Sequence, residues 1–308
     1  MSTSWNGLTV LVTGAMGFLG SHVVERLAQL NARTFGLTRQ PSTGGSKIQW
    51  VNGDLSDSAS TRALLKEVRP DIVFHLAGRT VASPDRELVL PSFRDNLAST
   101  VILLNQLVDL GCRRIVTTGS LEEPELAQSD GVPTSPYGAS KWAAVVYARM
   151  FHALYRLPVV IVRPYMTYGP RQHPSKFIPF VTLSLLRKQS PAINQPDRDV
   201  DWIYVEDVRD GILAAGLAPG IEGCSIDLGS GLLIPIREVA EELERLVDND
   251  VTVDFSSSTK PERVQARRAD TTRARDLLDW SAKTSLRKGL EETVAWYRAK
   301  LPDYNHPH

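Results

Sequence analysis

Tyr137 and Lys141 stand four residues apart in Ser135-Pro-Tyr-Gly-Ala-Ser-Lys141, a stretch that opens a long helical pattern reaching Tyr155. On a helix that spacing puts both side chains on one face. A phenol titrates near pH 10, too high to move protons freely at neutral pH, and an ammonium group beside it favours the phenolate. Ser120, closing the run Arg113-Arg-Ile-Val-Thr-Thr-Gly-Ser120, adds a hydroxyl that can hold a reacting oxygen. Near the N-terminus, Gly14, Gly17 and Gly20 follow the apolar run Leu8–Val12 and lead into an amphipathic helical stretch. A strand that turns sharply into a helix aims backbone N–H groups and the helix dipole at one spot, and missing Cβ atoms let a pyrophosphate approach it. A lone Tyr-x-x-x-Lys is usually a surface pair, and lone glycines usually only make a turn. Together with Ser120 they point to proton transfer beside a bound dinucleotide.

These residues need a scaffold that brings distant strand ends together. Apolar strand patterns at Leu8–Val12, Thr34–Thr38, Ile48–Val51, Pro70–Gly78, Arg113–Ser120 and Leu157–Arg163 alternate with helical ones. That alternation implies the α/β class, a Rossmann-like doubly wound parallel sheet covered on both faces. Ligands of such sheets collect at the C-terminal strand edge, where the glycine turn and Ser120 fall. Some twenty residues past the glycines, where an acid would bind a ribose 2′-hydroxyl, the chain has Thr38 and Arg39. An arginine suits a 2′-phosphate, so NADP(H) is favoured and NAD(H) is possible; a solvated loop charge is the competing reading. Asp54 could be a helix cap, although Asp57 fits that purpose as well. His75 reads as a satisfied buried histidine rather than a catalyst.

At 308 residues, a dinucleotide-binding domain over 1–168, with a returning segment near 200–228, and a mainly substrate-binding α/β domain over 169–308 are expected. Thirty-five basic and thirty-five acidic residues balance to zero, which argues against nucleic acid as a partner. Cys112 and Cys224 lie far apart without a metal-ligand pattern, and no metal site is expected. No apolar run reaches membrane-spanning length and no signal peptide is evident, so no membrane partner and a cytoplasmic location are expected.

The motifs resemble, over nearly the whole chain, the extended short-chain dehydrogenase/reductases, the NAD(P)-dependent nucleotide-sugar epimerases, dehydratases and ketoreductases. The resemblance is carried by Thr13-Gly-x-x-Gly-Phe-Leu-Gly20, Asp54-Leu55, His75-Leu-Ala-Gly78, Asp95-Asn96-Leu-Ala-Ser-Thr100, Ser120 with Tyr137 and Lys141, Arg163-Pro-Tyr-Met-Thr-Tyr-Gly-Pro170 and Asp201-Trp-Ile-Tyr-Val-Glu-Asp207. It implies cofactor contacts from Gly14, Gly17, Phe18, Leu19, Gly20, Arg39, Asp54, Leu55, Leu76, Ala77, Gly78, Asn96, Tyr137, Lys141 and Pro164. It also implies a nucleotide-sugar substrate touching Ser120, Met166, Lys176, Arg198 and Arg267, although loop arginines are often merely solvated. Hydride would pass between nicotinamide C4 and a substrate carbon while Tyr137 moves the proton and Lys141 holds the nicotinamide ribose. Met166 replaces the family's asparagine, Gly78 its alanine and Ser99 its glycine. Helices near 92–110 and 137–155 resemble those of the family's homodimer.

Which reaction runs turns on the residues after Ser120. Dehydratases of the family place an acid–base pair there, and Leu121 cannot donate a proton, leaving Glu122 as a lone candidate base. Gly119-Ser-Leu-Glu-Glu123 instead resembles a segment of NADPH-dependent 4-ketoreductases. The expected function is therefore reduction of a nucleotide-linked 4-keto-6-deoxyhexose. The alternatives are a 4-epimerase or 4,6-dehydratase with a recycled cofactor, or a non-catalytic NAD(P)-sensing protein of the same fold. Retention of Ser120, Tyr137 and Lys141 speaks against the last.

Overall fold

A computed structural model describes residues 4–40, 47–123, 131–256 and 266–304. In chain order, β1 (Thr9–Thr13) turns into α1 (Phe18–Gln29), followed by β2 (Arg33–Thr38), β3 (Ile48–Asn52), α2 (Ser58–Val68) and β4 (Ile72–His75). Next, α3 (Val89–Ser92) runs through a π-helical segment, Phe93–Ala98, into α4 (Ser99–Leu110), then β5 (Arg114–Thr118), α5 (Pro136–Tyr155) and β6 (Val159–Pro164). Then come β7 (Met166–Tyr168), α6 (Phe177–Leu186), β8 (Asp199–Tyr204), α7 (Val205–Leu217), β9 (Ser225–Leu228), β10 (Leu233–Pro235), α8 (Ile236–Val247), α9 (Thr272–Leu278) and α10 (Leu286–Lys300).

The chain divides into two compact units. The first holds Met1–Pro164, Arg209–Asp227 and Asp276–Trp280. Its sheet has the strand order β3-β2-β1-β4-β5-β6-β9, and the pairs from β3 to β6 run parallel. The order reverses between β1 and β4, and at such a switch point helices leave in opposite directions and open a crevice. Strands β1, β4, β5 and β6 are apolar without alternation because both faces are covered. On one face Leu11, Val73, Ile115 and Ile161 pack with Leu103, Leu104 and Leu107 of α4 and with Val145 and Phe151 of α5.

The second unit holds Tyr165–Val208, Leu228–Arg275 and Ser281–His308, with a three-stranded sheet in the order β10-β8-β7. The division departs from the expected one. Both edges of β8 are taken by β7 and β10, so this strand stays in the smaller sheet and the return begins only at Arg209. For the same reason the first unit ends at Pro164 rather than at 168, and Asp276–Trp280 joins it from the tail. Within the second unit Asp201 is a buried hub. Its carboxylate accepts from Ser230 N and Oγ, each at 2.8 Å, from Gly231 N at 3.0 Å and from Ala269 N at 2.9 Å. Among the described residues no helix is long and apolar enough to cross a membrane.

His75 closes β4 inside a chain of hydrogen bonds that fixes its tautomer. Thr100 Oγ1 donates to the Asn96 carbonyl (2.6 Å), so it accepts from His75 Nε2–H (2.8 Å). Ala77 N–H donates to Thr13 Oγ1 (3.1 Å), which in turn donates to His75 Nδ1 (2.9 Å). The ring is neutral as built, and burial, helped by the charge of Lys141, pushes its pKa down to about 3. The unfolded imidazole titrates near 6.5. Above that pH neither state binds the proton; below it only the unfolded state does, until about pH 3, so acid destabilises the fold. Between pH 6.5 and 5 this contributes a loss of about 2 kcal/mol, at roughly 1.4 kcal/mol per pH unit. His75→Gln keeps a donor and an acceptor but does not titrate. Urea unfolding at pH 7 and pH 5 is expected to show a smaller acid loss in the variant; equal losses would mean that His75 is protonated in the folded protein.

Candidate active site

The turn between β1 and α1 is built on two contacts that no side chain permits. Gly14 has φ +67°, and a Cβ there would lie 2.7 Å from Ala77 N, at the exit of β4. A Cβ on Gly20 would lie 2.0 Å from the Gly14 carbonyl oxygen. Gly17 N–H donates to that same oxygen (2.9 Å) and Gly17 is the N-cap of α1. No side chain caps this helix and its first turn carries no acid. The N–H groups of Phe18, Leu19 and Gly20 therefore have no acceptor within the helix, the arrangement that attracts an anion.

A cleft of about 600 Å³ opens there, lined by Gly14, Gly17, Thr38, Arg39, Asp54, Leu55, Ala77 and Gly78. Arg39 stands exposed on its rim. Asp54 is not a helix cap: Asp57 takes that place, accepting from Ser60 N–H (2.6 Å). The Asp54 carboxylate accepts from Ser56 N and Oγ at 2.9 and 2.8 Å, which holds it below the usual range, with Arg39 and Arg94 adding to the effect. The π-helical segment contributes Asp95, which pairs with Arg79 (3.1 Å) and Arg94 (3.0 Å). Asn96 is buried and its amide is taken up by the protein. It accepts from Arg79 N–H (2.7 Å) and donates to Arg79 O (3.2 Å) and Ser140 Oγ (2.9 Å). It thus bears on the cleft by fixing the turn at Gly78 and Arg79, and a Cβ on Gly78 would press to 2.8 Å from its Oδ1. Leu76 and Ala77 are half-buried beside it, as is Pro164 at the end of β6.

Ser120, Tyr137 and Lys141 come together beyond the end of β5. Ser120 Oγ accepts from Glu122 N–H (3.1 Å), which leaves its own proton to donate. Burial raises the Tyr137 phenol above its ordinary value, a side-chain hydrogen bond with Ser120 opposes this, and Glu122 and Glu123 raise it further. Tyr137 therefore holds its proton at neutral pH. Lys141 is buried and donates to Thr118 Oγ1 (2.9 Å); burial pushes its pKa down to about 8, against the pull of Glu123. Ser135 caps α5, accepting from Gly138 N–H (3.0 Å) and donating to Glu122 Oε2 (2.7 Å). Glu122 is thereby held at the start of α5, at the cap residue two positions before Tyr137.

Sequence reasoning passed over the group beneath Ser120. Glu123 is 5% exposed, and its Oε1 accepts from Ser120 N–H at 2.5 Å. Its other oxygen pairs with Arg163 Nη2 (3.2 Å), whose Nη1 pairs with Asp227 (2.5 Å). The available signal was a charged residue at the end of each of two apolar runs, Glu123 after β5 and Arg163 in β6.

The remaining expected residues lie in the second unit. Met166 sits on β7 opposite Trp202 of β8, and Lys176 is the N-cap residue of α6. Arg198 immediately precedes β8, its carbonyl accepting from Ile236 N–H (3.0 Å). Arg267 is two residues from Ala269, whose N–H Asp201 holds. Among the described residues no cluster of His, Cys, Asp or Glu could hold a metal, and burial pushes the Cys112 thiol up to about 12.

The chain matches the NAD dependent epimerase/dehydratase family over residues 10–222 and belongs to it. It is 30% identical to a UDP-glucose 4-epimerase of Mycolicibacterium smegmatis, over 95% of this chain and 99% of that protein. It is also 30% identical to a dTDP-glucose 4,6-dehydratase of Actinoplanes sp., over 95% and 98%. Among solved structures, the epimerase Mth375 of Methanothermobacter thermautotrophicus superposes with a TM-score of 0.86 at 27% identity, covering 97% of this chain and 94% of that one. A UDP-glucuronic acid 4-epimerase from Bacillus cereus, solved with UDP-glucuronic acid and NAD, gives 0.83 at 25%, covering 94% and 99%. The family's members are enzymes of the extended short-chain dehydrogenase/reductase class, acting on nucleotide sugars.

Replacing Tyr137 by Phe keeps the ring's packing and removes only the hydroxyl. Turnover is expected to fall by roughly 10²–10⁴-fold while the dissociation constant for cofactor changes less than about twofold. Fluorescence titration with reduced cofactor and steady-state rates check this; a variant keeping most of its activity would remove Tyr137 from the chemistry.

Proposed function

We propose that this protein reduces the C4 ketone of a nucleotide-linked 4-keto-6-deoxyhexose with NADPH. The observation that carries the choice of cofactor is Arg39 on the rim of the cleft, at the place where an acid would meet a ribose 2′-hydroxyl. The glycine turn fits a dinucleotide: its pyrophosphate would rest on the N–H groups opening α1, at the end of a tight turn that Gly14 and Gly20 permit by carrying no Cβ. Asp54 would take the adenine amino group and Lys141 the nicotinamide ribose.

Bound, the nicotinamide supplies hydride at C4. The chain's own part is to hold and move the proton. The Ser120 hydroxyl, its lone pair already given to Glu122 N–H, donates to the ketone oxygen. Tyr137, which holds its proton in this buried setting, delivers it to the same oxygen as negative charge develops there. Lys141, charged below about pH 8, stabilises the phenolate left behind. Dehydration is supported less well. Leu121 has no proton to give, and Glu122 is engaged by Ser135.

Epimerisation at C4 is the second reading, favoured by the 30% identity with a UDP-glucose 4-epimerase over nearly the whole of both chains. It uses the same three residues with the cofactor recycled. Purified protein given a nucleotide-4-keto-6-deoxysugar and NADPH is expected to oxidise one NADPH for each sugar reduced. Conversion of a nucleotide hexose with no net change in cofactor would overturn reduction in favour of epimerisation.

A homodimer formed through α4 and α5 belongs to the same proposal. Exposed Val108 on α4 and Val146, Tyr147, Leu154 and Tyr155 on α5 support it. Light scattering after gel filtration would give twice the chain mass, and a monomer would contradict it.

Cofactor choice gives a sharper test. Arg39→Ala is expected to weaken NADPH by about fivefold or more while leaving NADH within about twofold, since only the former offers a 2′-phosphate. Isothermal titration with both cofactors checks this, and equal losses would show that Arg39 does not read the phosphate.

A further inference from the structure

Ser120 is held from three sides by the two residues that follow Leu121. Its N–H is accepted by Glu123 Oε1 (2.5 Å) and its carbonyl accepts from Glu123 N–H (3.2 Å). Its Oγ accepts from Glu122 N–H (3.1 Å). The Glu123 side chain therefore folds back and closes the turn 120–123 from its carboxylate as well as from its backbone. It occupies the space left by a missing side chain, since a Cβ on Gly119 would lie 2.5 Å from Glu123 Oε1. A buried carboxylate stays ionised in such a place only with a partner. Here Arg163 of β6 pairs with it, and Asp227 of β9 pairs with Arg163. Burial alone would lower the Arg163 guanidinium, but Glu123 and Asp227 raise it, and the three link three neighbouring strands.

We infer that Glu123 is a positioning residue: anchored by Arg163 and Asp227, it locks the backbone of Ser120 so that the serine hydroxyl meets the reacting oxygen. The inference rests on the proposed C4 chemistry only in taking Ser120 as the group that holds that oxygen. A two-sided clamp has a direct kinetic consequence. When Glu123 acts through Ser120, its loss costs little once the serine hydroxyl is gone. When it acts elsewhere, on the charge of Lys141 or on the fold at large, its effect multiplies with that of Ser120.

The test is a double-mutant cycle on Ser120→Ala and Glu123→Gln in the full-length protein. Glu123→Gln matches the glutamate in shape but removes the charge that grips Arg163. It is expected to lower kcat by roughly tenfold, with KM and the cofactor dissociation constant within about threefold, as the loss of one transition-state contact does. Ser120→Ala is expected to lower kcat by roughly 30-fold. The double variant should fall no more than about threefold below Ser120→Ala alone. A product of the two single losses, or a folded Glu123→Gln protein with unchanged kcat, would overturn the inference. If circular dichroism shows Glu123→Gln to be unfolded, Asp227→Asn takes its place in the cycle; it loosens Arg163 from the far side, and the same sub-multiplicative result is required. Rates are compared on whichever nucleotide sugar the wild-type enzyme turns over. A wild type that epimerises rather than reduces sinks the proposed reaction and leaves this inference standing, whereas multiplicative losses sink the inference whatever the substrate.

Discussion

Everything in the first unit depends on how closely the turn after β1 approaches the exit of β4. Gly20 packs so near the Gly14 carbonyl that a methyl group there must push α1 off the turn, and Gly14 packs so near Ala77 that one there must push the turn away from the exit of β4. Because β1 and β4 are the strands between which the sheet order reverses, that displacement would open the crevice from which the site is built. The same approach lets Thr13 reach both Ala77 N–H and the His75 ring, and through that ring the hydrogen bonds continue to Thr100 and Asn96. Asn96 then reaches Ser140, whose hydroxyl donates to the Tyr137 carbonyl (2.8 Å). The glycine turn and the helix carrying Tyr137 are thus parts of one buried polar chain. Each member has a partner, which makes such a chain rigidify a site rather than weaken it.

Charge is arranged around this chain with economy. Among the described residues no carboxylate pairs directly with Lys141; Thr118 takes its proton bond and Glu123 acts on it from a distance. Glu123, in contrast, is tied tightly to Arg163, and the pair sits under Ser120 rather than in the open site. Burial, with Glu122 and Glu123 adding to it, raises the phenol's pKa, so the resting tyrosine keeps its proton.

Most of the site was legible in the sequence because its chemistry is local. Three glycines, a Tyr-x-x-x-Lys and a serine at a strand end each announce themselves within a few residues. Parallel strands buried on both faces write continuous apolar runs, which is why the order of elements could be read directly. What could not be read depends on contacts between distant segments. The Glu123–Arg163–Asp227 chain joins residues 40 and 64 positions apart, and in sequence each looks like an ordinary charge beside a strand. That Arg79 and Ser140 take up the Asn96 amide is likewise a result only packing can decide. Strand β8 was assigned to the returning segment since it abuts α7; its pairing with β7 and β10, which no local pattern encodes, keeps it in the smaller sheet.

The central claim is that Ser120, Tyr137 and Lys141 direct a hydride to C4 of a nucleotide-linked sugar. The most direct measurement follows the hydride itself: NADPH carrying deuterium at both C4 positions is given with the nucleotide-4-keto-6-deoxysugar, and the product is read by proton NMR. The account predicts deuterium at C4 of the sugar, with the C4 proton signal lost and its neighbours' couplings simplified. Product with full proton occupancy at C4, or deuterium at any other carbon, would contradict it.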